Sequence, residues 1–286
     1  MSLTDKLLAA AVVACWSANL VLVKLGVAEI PPLLMSLLRF MLVAALLVPF
    51  RPISRQQLPW ILLVSITFGA MHFGFLFIAL GLTEAGTSAV LVQLGAPIAS
   101  LLACLVFREP LGVVRAAGLF MTVVGVVVLA LGPTFPGPLV LGLLVASAIG
   151  WAITNLVVKL MPPIDAMALT GWSALFAIPQ MALATALFED HAWASLSGAG
   201  WHGWIAVVYS ALISSVLAYG IWYRLLARNA VNAVVPYSML NPVFAIGLGA
   251  LVFGETVPAL KLVGTLLILS GVVLVLLPRR IAVDAG

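Results

Sequence analysis

Charge is scarce in this chain: 8% of its 286 residues are Asp, Glu, Lys or Arg, and 64% are hydrophobic. A soluble domain carries about 25% charged residues, so this composition excludes a water-soluble globular fold and leaves a lipid bilayer as the solvent. Cysteine is nearly absent. Cys15 and Cys104 both stand in apolar runs, which excludes a disulfide framework, and no closely spaced Cys/His cluster is there to hold a metal. The nine acids are Asp5, Glu29, Glu84, Glu109, Asp165, Glu189, Asp190, Glu255 and Asp284, all in loops or at the ends of apolar runs. None occupies mid-span, where a proton or sodium relay would stand. A phosphate-cradling Gly-Lys-Ser/Thr loop is also missing, so neither cofactor nor metal is expected. The basic residues, which leave a net charge of +4, are scattered singly; no basic patch suits nucleic acid.

Long apolar runs fill the chain instead. Bounded by Pro, Gly or charge, they predict ten helices over 7–26, 33–50, 60–80, 87–107, 112–131, 139–159, 166–187, 204–225, 232–253 and 258–277. Continuous rather than alternating hydrophobicity requires helices and excludes a barrel. The first run follows a single Lys and lacks a small-residue cleavage site, so it reads as a retained helix rather than a signal peptide. Only 188–203, FEDHAWASLSGAGWHG, is a long connection. With a cytoplasmic N-terminus the inner ends hold Lys6, Arg51, Arg55, Arg108, Arg115, Lys159, Arg224, Arg228, Arg279 and Arg280, and the outer ends only Lys24 and Lys261. That bias puts both termini of a multi-pass membrane chain in the cytoplasm.

The sequence also repeats itself. NLVLVKL at 19–25 returns as NLVVKL at 155–160, and a shift of 135 sets Trp16 on Trp151, Asn19 on Thr154 and Lys24 on Lys159. A shift of 146 sets LVFRE at 105–109 on LVFGE at 251–255, Gly118 on Gly264 and Gly125 on Gly271. Two repeats follow, residues 1–132 and 133–286, of five spans each. Five is odd, so the second enters the membrane from the opposite side. Such inverted repeats are the frame of alternating-access carriers.

Ten spans in two inverted halves, an FxE before each half's last helix and first helices of WxxN type resemble the drug/metabolite transporter superfamily, EamA type. The sequence is most similar to its YddG-like branch of aromatic amino acid exporters. The resemblance covers essentially the whole chain. It implies an all-α membrane protein with a central cavity lined by spans one, three, four, six, eight and nine, and export of amino acids and related metabolites.

Mid-bilayer polar and aromatic groups are the candidate site, because such groups are costly unless they face protein, water or substrate. Trp16 and Asn19 share a face of span one, and Trp151 and Thr154 a face of span six, with Asn155 beside them. His72 lies in span three, Gln93 in span four and Tyr219 in span eight; Tyr237, Ser238 and Asn241 lead span nine. Pro97 and Pro242 interrupt their spans as hinges and should free the carbonyls of Gln93 and Ser238, four residues earlier, for a substrate ammonium. The aromatic faces suit an aromatic or cationic group.

Arg39 is the one strong charge inside a span. Pairing is the usual fate of such a charge, and Glu29 across the loop is the expected partner; the alternative role is to attract a carboxylate. The chain therefore reads as a facilitative exporter of aromatic and other neutral amino acids, working as a monomer in the bilayer. A multidrug or lipophilic-cation exporter of the same fold and an amino-acid-permeable channel are the rival readings. An intramembrane enzyme is not expected.

Overall fold

The computed structural model describes residues 1–107, 112–229 and 234–276. Arg108, Glu109, Arg279, Arg280 and Asp284, as well as the predicted span ends at 232–233 and 277, lie outside the described residues. Ten apolar helices run α1 (Leu3–Gly26), α2 (Pro32–Phe50), α3 (Arg55–Leu82), α4 (Ala85–Val106), α5 (Val113–Ala130), α6 (Pro138–Leu160), α7 (Ala166–Phe188), α8 (Trp201–Trp222), α9 (Tyr237–Phe253) and α10 (Ala259–Leu276). Among the described residues, nine have the length and hydropathy to cross a membrane, and α9 is a shorter apolar helix. No strand occurs among the described residues. In hydrocarbon a backbone amide finds no water, so segments this apolar satisfy their own hydrogen bonds by coiling.

Local chemistry sets the ends. Ser2 and Asp5 form a capping box on α1, Asp165 accepts the Ala168 amide at the start of α7, and α2 and α6 open on prolines. Such residues satisfy or dispense with the amides that a first helical turn leaves unpaired. Gly254, at φ 66, ends α9 in the left-handed conformation that a side chain disfavours.

Among the described residues, two helices widen into long π-helical stretches. Ser65–Gly74 of α3 and Tyr209–Ala218 of α8 are ten-residue π-helical stretches. Long π stretches are rare and gather at functional sites. The Ser215 hydroxyl donates to the carbonyl of Ser210 at 2.7 Å, five residues back, across one such wide turn.

Packing follows matched pairs. α2 lies against α7 and α5 against α10; α1 contacts α8 and α9, while α6 contacts α3 and α4. The α5–α10 crossing is close. A Cβ on Gly118 would stand 2.6 Å from the Gly271 carbonyl oxygen, and one on Gly264 2.9 Å from that of Gly125. Small residues are what let membrane helices approach backbone to backbone. Lipid-facing side chains of this pair include Phe120, Val123, Val127 and Leu266, all largely exposed. Trp201 and Trp204 are likewise exposed at the start of α8, as interfacial tryptophans are.

Candidate substrate site

Between α1, α3 and α8, three of the sequence-predicted residues, Trp16, His72 and Tyr219, meet in one aromatic group. The Trp16 ring lies 5.1 Å from Tyr219 and 5.1 Å from Trp222, and its indole N–H donates to the Ser214 carbonyl at 3.2 Å. Tyr219 approaches Phe68 at 6.4 Å, Phe68 meets Phe73 at 4.8 Å, and His72 stacks parallel on Phe68 at 5.2 Å. Ring pairs at such separations gain beyond the area they bury. Trp222, Phe68 and Phe73 were not among the predicted site residues. Their helical spacing alone does not distinguish a ring that lines the centre from one that packs.

Polar bonds tie the same helices together. Asn19 Oδ1 accepts from Ser210 Oγ at 2.6 Å, joining α1 to α8, and the hydroxyls of Thr67 and Thr154 meet at 2.7 Å, joining α3 to α6. Ser17 Oγ donates to Asn241 Oδ1 at 2.7 Å, joining α1 to α9. His72 Nδ1 lies 3.0 Å from Ser147 Oγ on α6. Trp151 packs on Gly95, where an added Cβ would fall 2.6 Å from Cε3. Tyr237 is half-buried in the cluster around Trp16 and Trp222. Asn155 is not drawn in: it is exposed, and its amide donates to the Trp151 carbonyl of its own helix.

The proline carbonyls differ from expectation. The Gln93 carbonyl accepts from the Ala96 amide at 3.2 Å, since α4 turns at 93–94 and restarts at Gly95 two residues ahead of Pro97. The Ser238 carbonyl, four residues before Pro242, accepts from Gln93 Nε2 at 3.0 Å. One carbonyl is thus satisfied within its own helix and the other across to α4, and neither is left over.

Arg39 also departs from its expected pairing. It is 1% exposed, and Glu29 is not its partner. Its Nε and Nη2 both donate to Ser215 Oγ, at 3.1 and 2.9 Å, and its guanidinium sits 3.8 Å over Phe73. Glu29 instead accepts the Gly203 amide at the start of α8 and bonds His202 Nδ1. The Gly203 amide, followed by His202, holds the Glu29 carboxyl below the ordinary glutamate value. Glu189 reciprocates by accepting the Leu33 and Leu34 amides at the start of α2. Burial pushes its carboxyl up, against the downward pull of those amides.

The two lysines that break the charge rule are both neutralised. Lys24 pairs with Glu255 at 2.6 Å and Lys261, itself 1% exposed, with Glu84 at 2.6 Å. Glu255 also accepts the Ala85 amide at 3.0 Å. Carboxylates on helix N-termini and on ammonium groups thus gather at the end of the bundle remote from the N-terminus. A cleft of about 540 Å³ opens at the other end, between α2, α7 and α8, lined by Leu47, Arg51, Met167, Val216 and Arg224 among others. None of the predicted site residues lines it.

Comparison with known proteins gives this geometry its context. The model of the EamA-like transporter family matches residues 6–131 and again 139–277. A probable amino-acid metabolite efflux pump of Salmonella typhimurium is 34% identical over 95% of this chain and 94% of its own length. One of the same description from Escherichia coli is 32% identical over 95% and 94%. A crystal structure covering 96% of both chains superposes with a TM-score of 0.63 at 22% identity, a likeness of fold. An apolar ten-helix bundle that matches one transporter family along both halves is a transporter rather than an enzyme: the chain belongs to the EamA-like transporter family.

Proposed function

We propose that the chain exports amino acids, aromatic and other neutral ones, and related metabolites from the cytoplasm across the inner membrane. The observation that carries this reading is the ring group of Trp16, Tyr219, Trp222 and Phe68. It lies where helices of both halves meet, in a chain whose relatives are named amino-acid metabolite efflux pumps. Aromatic walls bind an aromatic side chain by stacking and an ammonium by its charge.

Alternating access between inverted repeats, residues 1–132 and 133–286, is the mechanism. The Gly118–Gly271 and Gly264–Gly125 contacts support it, because a two-fold axis makes residue i touch j of the other copy and j touch i. The reciprocal caps by Glu29 and Glu189 and the Lys24–Glu255 and Lys261–Glu84 pairs close the outer mouth. Both termini are cytoplasmic, and one chain forms the whole path. Transport is facilitative: the buried acids are engaged at the mouth, and none stands at mid-span to carry a coupling ion. A lipophilic-cation cargo fits less well, since the charge at the centre is the guanidinium of Arg39.

Proteoliposomes test this. Preloaded phenylalanine should accelerate uptake of labelled phenylalanine, as a carrier requires and an open pore does not. Concentrative uptake driven by a pH difference alone would reject facilitation.

A further inference from the structure

Among the described residues, each of Lys24, Lys261, Arg51 and His202 faces a carboxylate, and Arg39 faces none. Its Nη1 is buried without a hydrogen-bond partner, and its other two nitrogens share one neutral hydroxyl. A ring face at 3.8 Å and a serine do not replace a counter-ion at mid-bundle, where an isolated charge is expensive. The acids nearest along the chain are engaged elsewhere: Glu29 on Gly203 and His202, Asp5 on Ser2 and Asn229, Glu84 on Lys261.

We propose that Arg39 is the anchor for a carboxylate on the transported solute, so that the cargo of this carrier is a carboxylate-bearing molecule with an apolar or aromatic remainder. A guanidinium presents a planar fork, and the ligand that fills it is a planar, anionic, two-oxygen group. Position argues for the cargo rather than for architecture. From Phe73, under the guanidinium, a continuous file of rings passes through Phe68 to Tyr219 and Trp16, with neighbouring centroids 4.8, 6.4 and 5.1 Å apart. A carboxylate held at Arg39 lays the rest of its molecule along that file. Ser215, meanwhile, keeps its own bond to the Ser210 carbonyl whether or not the arginine is there. Sequence position agrees too, since the shift that relates the halves sets Arg39 on Ala174. The fold fills the corresponding place with a methyl group.

This inference rests on the transport reading, and the experiment separates the two. The full-length protein and its Arg39→Met and Arg39→Lys variants are heated in detergent with phenylalanine, phenylacetate or phenylalaninamide, then reconstituted for counterflow. Phenylalanine and phenylacetate should stabilise the wild type and the amide should not. Arg39→Met should unfold at or above the wild-type temperature, because an unpaired buried charge has been removed. It should lose the response to both carboxylates, and phenylalanine exchange should fall about tenfold or more, the scale of one charge-assisted hydrogen bond. Arg39→Lys should retain part of the response. Arg39→Met unfolding well below the wild type would make the arginine architectural and overturn the proposal. So would a wild type that none of the carboxylates stabilises, or one that carries the amide as well as the acid. Stabilisation by phenylacetate through Arg39 without any amino-acid exchange would retain the anchor and reject the amino-acid reading.

Discussion

At the crossing of α1 with α8 an amide meets a hydroxyl, Asn19 on Ser210; at the crossing of α3 with α6 two hydroxyls meet, Thr67 on Thr154. The partners in one contact lie 135 and 143 residues from those in the other, the spacing that the proposed repeats give to corresponding places. Their surroundings diverge. Beside the first stand Trp16, Tyr219, Trp222 and the Arg39–Ser215 contact. Beside the second, His72 is bonded to Ser147 and Trp151 is pressed on Gly95. Both crossings keep the polar contact, and the rings and the arginine stand at one of them.

If that division is right, substitutions in the frame should act alike in both halves and substitutions near the centre should not. The largest effect belongs to the frame. Gly118→Leu and Gly264→Leu each drive side-chain atoms into a backbone 2.6 or 2.9 Å away, a cost of about 3 kcal/mol or more. Both should lose monodisperse protein on size exclusion, to a similar degree. Unequal losses would break the correspondence.

Tryptophan comes next. Trp16→Ala should raise the half-saturating concentration for aromatic amino acids about tenfold while sparing threonine, the scale of one ring contact. Trp151→Ala should lower stability and affect all substrates equally, because its ring fills space against Gly95. Flux measured over a panel of amino acids separates the two patterns, and equal losses for Trp16→Ala would make it packing.

Smaller still, Asn19→Ala strips Ser210 Oγ of its acceptor and should cost about 1–2 kcal/mol. Thr154→Val leaves Thr67 donating to the Leu63 carbonyl and should cost about 0.5 kcal/mol. Thermal unfolding in detergent compares them; a costlier Thr154→Val would reverse the assignment.

The smallest effect contrasts the two reciprocal caps. Glu29 is held low, so its contribution is whole above the ordinary glutamate value of 4.5 and is lost as pH falls through its lowered pKa. Glu189 is held high by burial, so stability falls as pH rises from 4.5 through its raised pKa. Glu29→Gln should therefore flatten the acid limb of a stability profile, and Glu189→Gln the limb just above it. Profiles that move together would show that the caps do not act separately.

The spans were legible in the sequence to within a few residues at most ends, because hydrocarbon leaves a backbone so few options. Trp16 and Asn19 were legible for a related reason: polar and amphipathic groups at that depth require a partner. The partners themselves were not. Nothing local to Glu29 says that it will cap α8 rather than meet Arg39, since the Gly203 amide is brought to it only when α8 packs on α1. The Gln93–Ser238 bond is of the same kind. Proline position tells which carbonyl is released, and only the packed helices tell which amide takes it. The π-helical turns of α3 and α8 carry no composition signal at all, although they place Ser215 under Arg39.

The neutralised lysines have one further effect. With Lys24 and Lys261 each bound to a glutamate, the end of the bundle that holds Glu29, Glu84, Glu189, Asp190 and Glu255 has an excess of negative charge. The opposite end, with Lys6, Arg51, Arg55, Arg115, Lys159, Arg224 and Arg228 against Asp5 and Asp165, is strongly positive. Fixed potentials of this kind enrich anions at one doorway and deplete them at the other. A solute of net negative charge is gathered at the basic threshold and thinned at the acidic one, an occupancy bias that leaves the direction of net flux to the solute's own gradient and that added salt erases.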